Sequence, residues 1–196
     1  MWNVSIAHGL TSTDLSFSND EEAKLRRRGI TASLERRLGE RWAVQVGGGA
    51  SLGGDVTISG ERYDFAPGWL ASLGGTFRIL EGEGLEPFLL AGLTAAVSST
   101  QAERPGEEAM FTAVDARGSI TVGKLFWGGI APYALARVFG GPVFWERGGE
   151  EITGSDDHHF QLGAGLLATA AGRVSAFAEI VPLGERSASF GASVAF

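Results

Sequence analysis

The sequence predicts an all-β chain: an up-and-down antiparallel transmembrane β-barrel, with ten strands favoured and eight if one hairpin sits outside the membrane. Three observations predict it. Apolar residues recur at every second position along most of the 196 residues, and helical spacing is nearly absent. The residues between them are small rather than long and charged. Short and long connections alternate, so a meander sends the two sets to opposite ends. No linker or composition break divides residues 1–196, which read as one domain.

Ten strands are expected, at about 2–16, 25–38, 42–58, 69–80, 87–100, 111–126, 131–146, 159–170, 173–182 and 187–196. The stretch DEEAKLRRR, Asp20 to Arg28, is the one helix-like segment, and it reads equally well as a charged loop. The links at residues 39–41, 81–86, 127–130 and 171–172 are short. Those at 17–24, 59–68, 101–110 and 147–158 are longer and more polar, and the last link, 183–186, is short.

The faces separate strand by strand. In the third strand Trp42, Val44, Val46, Ala50 and Leu52 oppose Ala43, Gln45, Gly47, Gly49 and Ser51. In the second, Ile30, Ala32, Leu34 and Leu38 oppose Arg27, Gly29, Thr31, Ser33, Glu35 and Arg37. Leu89 to Val97 alternate with Gly92, Thr94, Ala96 and Ser98, and Val114 to Val122 alternate with Asp115, Arg117, Ser119 and Thr121. Val174, Ala176, Ala178 and Ile180 oppose Ser175, Phe177 and Glu179, and Phe190 to Phe196 oppose Ser189, Gly191 and Ser193. A water-facing sheet surface carries long polar side chains. A confined lumen has room only for short ones, so the apolar face is assigned to lipid and the small face to the interior. Segments of about 9–11 tilted residues cross a bilayer, and closure pairs every backbone group there.

Aromatics gather near strand ends, where interfacial girdles sit. Trp2, Trp42, Phe88, Phe126, Trp127, Tyr133 and Phe196 are expected at the short-turn end. Phe17, Tyr63, Phe65, Trp69, Phe111, Phe144, Trp145 and Phe160 are expected at the long-loop end. Three residues fit badly: His8 and Arg36 fall on lipid faces, and Arg137 shares a face with Tyr133, Leu135 and Phe139.

Composition narrows function. Glycine stands at 30 residues, about twice ordinary usage, without a collagen period. A net charge of -7 argues against nucleic-acid binding. The absence of cysteine removes disulfides and thiolate metal sites. No run of about 18 apolar residues exists to form a membrane helix. No signal peptide is visible, and for an exported chain it is expected to be cleaved or omitted. The run GGGASLGG lies within a strand and opens no helix, so it is not a phosphate loop.

The final stretch, ASFGASVAF, resembles the closing strand of Gram-negative outer-membrane β-barrels, which end in an aromatic residue after alternating hydrophobics. Phe190, Val194 and Phe196 match that pattern. As architecture the resemblance covers the whole chain and is nearest to the small barrels of the outer-membrane protein A transmembrane type. It implies a bacterial outer-membrane location with both termini in the periplasm. It also implies insertion by the barrel-assembly machinery, and lipid and lipopolysaccharide as partners. No cofactor is implied, and no protein partner is indicated.

Three groups of residues are functional candidates. Arg117, Arg137 and Glu179 are expected at mid-depth in the lumen, with Asp115 slightly above and Glu35, Arg37 and Arg78 nearer the short-turn end. Opposite charges in a narrow lumen should pair, forming either a plug or a filter for ions and small solutes. The run KLRRR supplies Lys24, Arg26, Arg27 and Arg28 to lipopolysaccharide phosphates, or to pairing with Asp20, Glu21 and Glu22. SDDHHF repeats an Asp-x-His spacing in Asp156 with His158 and Asp157 with His159. The omptins, ten-stranded outer-membrane proteases, use an Asp-His pair with a second acidic pair across the mouth, and no Asp-x-Asp supplies one here. Lipid A deacylases pair Ser with His, whereas His159 has Gln161 two residues on. Metal binding by these residues is unspecific. The leading expectation is therefore a non-enzymatic barrel, structural or a narrow passive channel. A surface enzyme using Asp157 and His159 is the alternative, and a barrel that binds through its loops is a third.

Overall fold

A computed structural model describes residues 1–19, 21–82 and 86–196. Thirteen strands follow in order: β1 (Trp2–Phe17), β2 (Glu22–Leu38), β3 (Trp42–Ile58), β4 (Glu61–Phe65), β5 (Gly68–Glu81), β6 (Phe88–Arg104) and β7 (Glu107–Gly123), then β8 (Ile130–Gly140), β9 (Val143–Arg147), β10 (Glu150–Asp156), β11 (Phe160–Ala170), β12 (Val174–Gly184) and β13 (Arg186–Ala195). Every pairing is antiparallel. The lower part is a ring of ten, β1–β2–β3–β5–β6–β7–β8–β11–β12–β13, closed where β1 meets β13 from Asn3↔Ala195 to Ser12↔Arg186. Reciprocal backbone bonds between Trp2 and Phe196, 2.8 and 2.9 Å, extend that seam to the chain ends.

The ring does not keep ten strands along its length. β4 and β5 act as one strand broken at Ala66-Pro67, and β8 and β9 as one broken at Gly141-Pro142. Proline has no N–H to give a ladder, so both breaks fall where pairing is interrupted anyway. β10 and β11 are likewise separated by residues 157–159. Above these breaks β10 leaves the neighbourhood of β12 and pairs with β1 from Leu15↔Asp156 to Phe17↔Gly154. The upper part is thus a ring of eight, β1–β2–β3–β4–β6–β7–β9–β10. The β12–β13 hairpin alone stops short, and its loss takes ten strands to eight.

This narrowing sets the interior. An eight-stranded barrel is just wide enough for side chains to fill, whereas ten strands leave space. In the ring of eight the inward residues Leu15, Phe17, Leu25, Val56, Tyr63, Phe65, Phe111 and Trp145 form a packed apolar core. Tyr63 meets Trp145 edge-on at 5.1 Å, and Phe65 meets Phe111 at 5.3 Å. In the ring of ten the same inward phase carries Asn3, Ser5, Ala7, Gly9 and Thr11 on β1 and Gly29, Thr31, Ser33 and Glu35 on β2. The outward phase of the ten carries large exposed apolar residues all round, such as Ile6, Leu73, Leu93, Ile180 and Phe190. Such a continuous band has no stable partner but lipid tails.

One bulge makes the plug possible. Between Arg28 and Gly29 the β2–β3 register shifts, leaving an extra residue on β3. The parity flips there, so Val56 and Ile58 point inward although Ser51 also does. Gly53 and Gly54 carry φ of 115° and 148°, and a Cβ on Gly54 would meet the Arg26 carbonyl oxygen at 2.0 Å.

The structure corrects four sequence expectations. The long polar loops are largely sheet: residues 61–65, 101–104, 107–110 and 150–156 are strand. Their alternation persists, but apolar residues face in and charges face out. Of the upper girdle, Trp69 and Phe160 are exposed, but Phe17, Tyr63, Phe65, Phe111 and Trp145 lie in the plug. At the short-turn end Phe88 and Tyr133 also turn inward, while Trp2, Trp42, Phe126, Trp127 and Phe196 stay outside. The helix-like segment is strand from Glu22, and Asp20 lies outside the described residues, as do residues 83–85 of the expected 81–86 turn. His8 faces out and stacks on Phe190 at 5.4 Å, and Arg36 lies over the Trp2 ring at 5.1 Å beside the short turns.

Candidate functional site: the charged chamber beneath the plug

Below the aromatic core lies a cavity of about 290 Å³. Its roof is apolar, with Leu15, Leu25, Phe111 and Val143. Its walls are charged. β7 contributes Asp115 and Arg117, successive inward positions, and β2 contributes Arg27. Asp156 enters from the base of β10 and Glu185 from the β12–β13 turn. The chamber therefore sits where ten strands become eight, and the truncated hairpin delivers Glu185 to it.

Arg117 is the hub. It meets Asp115 at 3.1 Å and Glu185 at 3.4 Å, donates to the Gln161 Oε1 at 3.4 Å, and lies 5.0 Å from the Phe139 ring. Gln161, fully buried, donates onward to the Glu185 carbonyl at 3.3 Å. One layer away, Arg137 pairs with Glu179 at 2.8 Å, and the Tyr133 hydroxyl donates to the same carboxylate at 3.1 Å. Pairing of this kind is what makes charge tolerable in a narrow space. Gly165 makes room for the Tyr133 ring: a Cβ there would meet Tyr133 Cζ at 2.3 Å. Part of the small inner face thus serves to seat aromatic side chains from the next strand.

Three groups in the chamber are less well served. Arg27 donates to Ser98 Oγ at 3.2 Å and lies 5.7 Å from the Phe111 ring, with no ion pair among the described residues. Asp115 Oδ1 is buried without a hydrogen-bond partner. Asp156 accepts from Thr13 at 3.0 Å, and its burial above the lipid band raises its carboxyl beyond the usual aspartate range.

The expected residues are distributed as follows. Arg117, Arg137, Glu179 and Asp115 all face the interior and carry the ion pairs just described. Glu35 and Arg37 line a separate cavity at the short-turn mouth, and Arg78 faces inward near that end; none has an ion pair among the described residues. Lys24, Arg26 and Arg28 face outward at the upper edge of the apolar band. Arg27 departs from the lipopolysaccharide expectation, because strand alternation turns it inward. Arg186 joins the outer group instead, in register through Ser12 with Arg26. Phe190 and Val194 on β13, and Phe196 just after it, project on the lipid side. Asp157 accepts from Ser16, and no hydrogen bond joins it to His159 among the described residues. Residues 157–159 form the break between β10 and β11, so the two-residue spacing that shares a strand face does not hold there.

Sequence reasoning missed Gln161, Asp156 and Glu185 as chamber residues. Gln161 had a signal, since it falls between outward Phe160 and Leu162. Glu185 had none, because its place depends on where the β12–β13 hairpin ends relative to β10.

No protein-family model and no curated protein matches the chain. Solved structures do resemble it. The outer membrane protease OmpT from Escherichia coli aligns with TM-score 0.63 and 10% identity, over all of this chain and 96% of that one. The translocator domain of the autotransporter NalP from Neisseria meningitidis aligns with TM-score 0.55 and 14% identity, over all of this chain and 89% of that one. The outer membrane protein OprG from Pseudomonas aeruginosa aligns with TM-score 0.52 and 10% identity, over all of this chain and 95% of that one. Those proteins differ in their named activities, so the likeness speaks to architecture. The chain has the transmembrane β-barrel fold of bacterial outer-membrane proteins.

Proposed function

We propose that this chain is a non-enzymatic barrel of the bacterial outer membrane, closed at its long-loop end and acting as a structural or binding element rather than an open pore. The observation that supports this reading is the eight-stranded upper ring filled by Tyr63, Phe111, Trp145 and their neighbours. A solute path along the axis would have to displace that core. The Arg117 and Arg137 ion pairs beneath it add a second barrier. In this reading the short-turn end, where the termini meet, faces the periplasm, and Phe190, Val194 and Phe196 serve the assembly machinery. Lys24, Arg26 and Arg28 then lie at the level of lipopolysaccharide phosphates, which arginine grips through paired donors.

The enzyme alternative draws support from the likeness to OmpT and from the upward extension of the strands. Against it stand the filled mouth and the lack of contact between Asp157 and His159. The absence of native cysteine offers a direct test. Ser98→Cys places a thiol in the chamber and Ser155→Cys places one on the exposed surface above. In intact cells a membrane-impermeant maleimide is expected to label Ser155→Cys and leave Ser98→Cys unreacted. Rapid labelling of Ser98→Cys from outside would overturn the closed-barrel reading.

A further inference from the structure

The chamber holds three charged groups that its own walls leave without a complete set of close partners. Arg27 on one wall has a serine hydroxyl and a ring face but no close ion pair among the described residues, and Glu185 attracts it only from beyond that distance. Asp115 spends one oxygen on Arg117 and leaves the other buried and bare. Asp156 has one hydrogen bond, from Thr13, and Arg117 and His159 attract it only from beyond ion-pair distance. All three line the same cavity of about 290 Å³. Unpaired charge in such a place is costly, and a guest that completes both sets of contacts gains what the empty site lacks.

The sign pattern selects the guest. An anion drawn to Arg27 would also face Asp115, Asp156 and Glu185. A simple cation drawn to the carboxylates would face Arg27 and Arg117. A guest carrying both charges a few bonds apart satisfies each side at once. The volume lies at the small end of ligand pockets and suits a molecule of amino-acid size. The apolar roof of Leu15, Leu25 and Phe111 can cover a short side chain. We propose that this chamber binds a small zwitterion, its anionic end on Arg27 and its cationic end on Asp115 Oδ1 and Asp156. The inference goes beyond barrel closure: a closed barrel can have an inert chamber, and a leaky one can still bind.

The test is calorimetric titration of the refolded barrel in detergent micelles. The probes are glycine, L-serine, L-leucine, glycine betaine and taurine, with N-acetyl-L-leucine and L-leucinamide as singly charged comparisons. Saturable one-to-one binding of at least one zwitterion is expected. The two singly charged compounds should bind at least tenfold more weakly than L-leucine, or not at all. Arg27→Met and Asp156→Asn should each weaken the zwitterion at least tenfold, with insertion checked by heat-modifiable gel mobility. The comparison among probes on the unaltered chain stands even if a variant does not insert. Failure of all five zwitterions to bind would overturn the proposal. So would equal binding of the singly charged compounds, or binding unchanged in both variants.

Discussion

Phe111→Ala probes the plug with a magnitude that the structure sets. Phe111 is 1% exposed. Its ring lies 5.3 Å from Phe65 and 6.4 Å from Trp145, and it caps Arg27 from above. Truncating a core Phe to Ala typically costs ~3–5 kcal/mol, through lost burial and the cavity left behind. Every 1.4 kcal/mol is a factor of ten in an equilibrium. The upper ring is held by this core, whereas the lower ring is held by lipid and its own ladder, so the loss should be local. Hydrogen–deuterium exchange in lipid vesicles should show protection in β4, β9 and β10 falling by about two to three and a half powers of ten. The lower halves of β1, β12 and β13 should change by less than tenfold. A uniform loss over both rings would refute the division into a lipid-held ring and a core-held plug. Unchanged protection in β9 would refute the packing argument itself.

Other perturbations test single contacts. Arg137→Met strands the Glu179 carboxylate with Tyr133 alone; a fully buried broken pair costs roughly 3–5 kcal/mol. The Arg137 side chain keeps 22% exposure, so a loss near the bottom of that range or below it is expected in the urea midpoint, and Arg137→Met with Glu179→Met should recover most of it. Gly165→Ala drives a Cβ into the Tyr133 ring, and such overpacking costs roughly 1–3 kcal/mol. Adding Tyr133→Ala should then cost less than Tyr133→Ala does alone, whereas additive effects would contradict that geometry. Burial raises the Asp156 carboxyl, so the folded barrel holds that proton more tightly than the unfolded chain. Its cost is absent below the ordinary aspartate value of about 3.9 and grows as pH rises through the raised value. Relative to Asp156→Asn, the unaltered chain should therefore lose stability in urea titrations as pH rises above the ordinary aspartate value, and a flat difference would contradict the assignment.

Much of the lower ring is legible in the sequence because the strand period is two and lipid enforces it. Trp42, Val44 and Val46 against Ala43, Gln45 and Gly47 could hardly be assigned otherwise. The ion-paired lumen follows by the same parity for Arg117 and Glu179, whereas Arg137 shares its face with Tyr133, Leu135 and Phe139, so parity alone leaves its side open. The plug was harder to read because the meaning of parity inverts above the membrane. Phe17 shares the phase of Asn3 and Ser5, which marks it as inward, but an aromatic at a strand end invites a girdle assignment. β3 conceals its phase further, since the Gly53-Gly54 bulge flips it between Ser51 and Val56. The chamber was least legible. It exists because one hairpin of five stops early, a fact about relative strand lengths that no residue announces. Arg27 shows the cost of reading by charge run: its neighbours Arg26 and Arg28 face out, and alternation alone turns it in.

If the narrowed ring closes the barrel, the lumen cannot conduct. The measurement that tests it most directly is single-channel recording in planar bilayers on refolded chain, with insertion confirmed by heat-modifiable gel mobility. Glu179→Ala should be recorded alongside, since it frees Arg137 within the lumen. Closure predicts no steady conductance from either, because the Phe111 and Trp145 core lies above the altered pair. A stable ohmic conductance from the unaltered chain would contradict closure, and a change in that conductance with Glu179→Ala would make the lumen a conducting path with Glu179 at its filter.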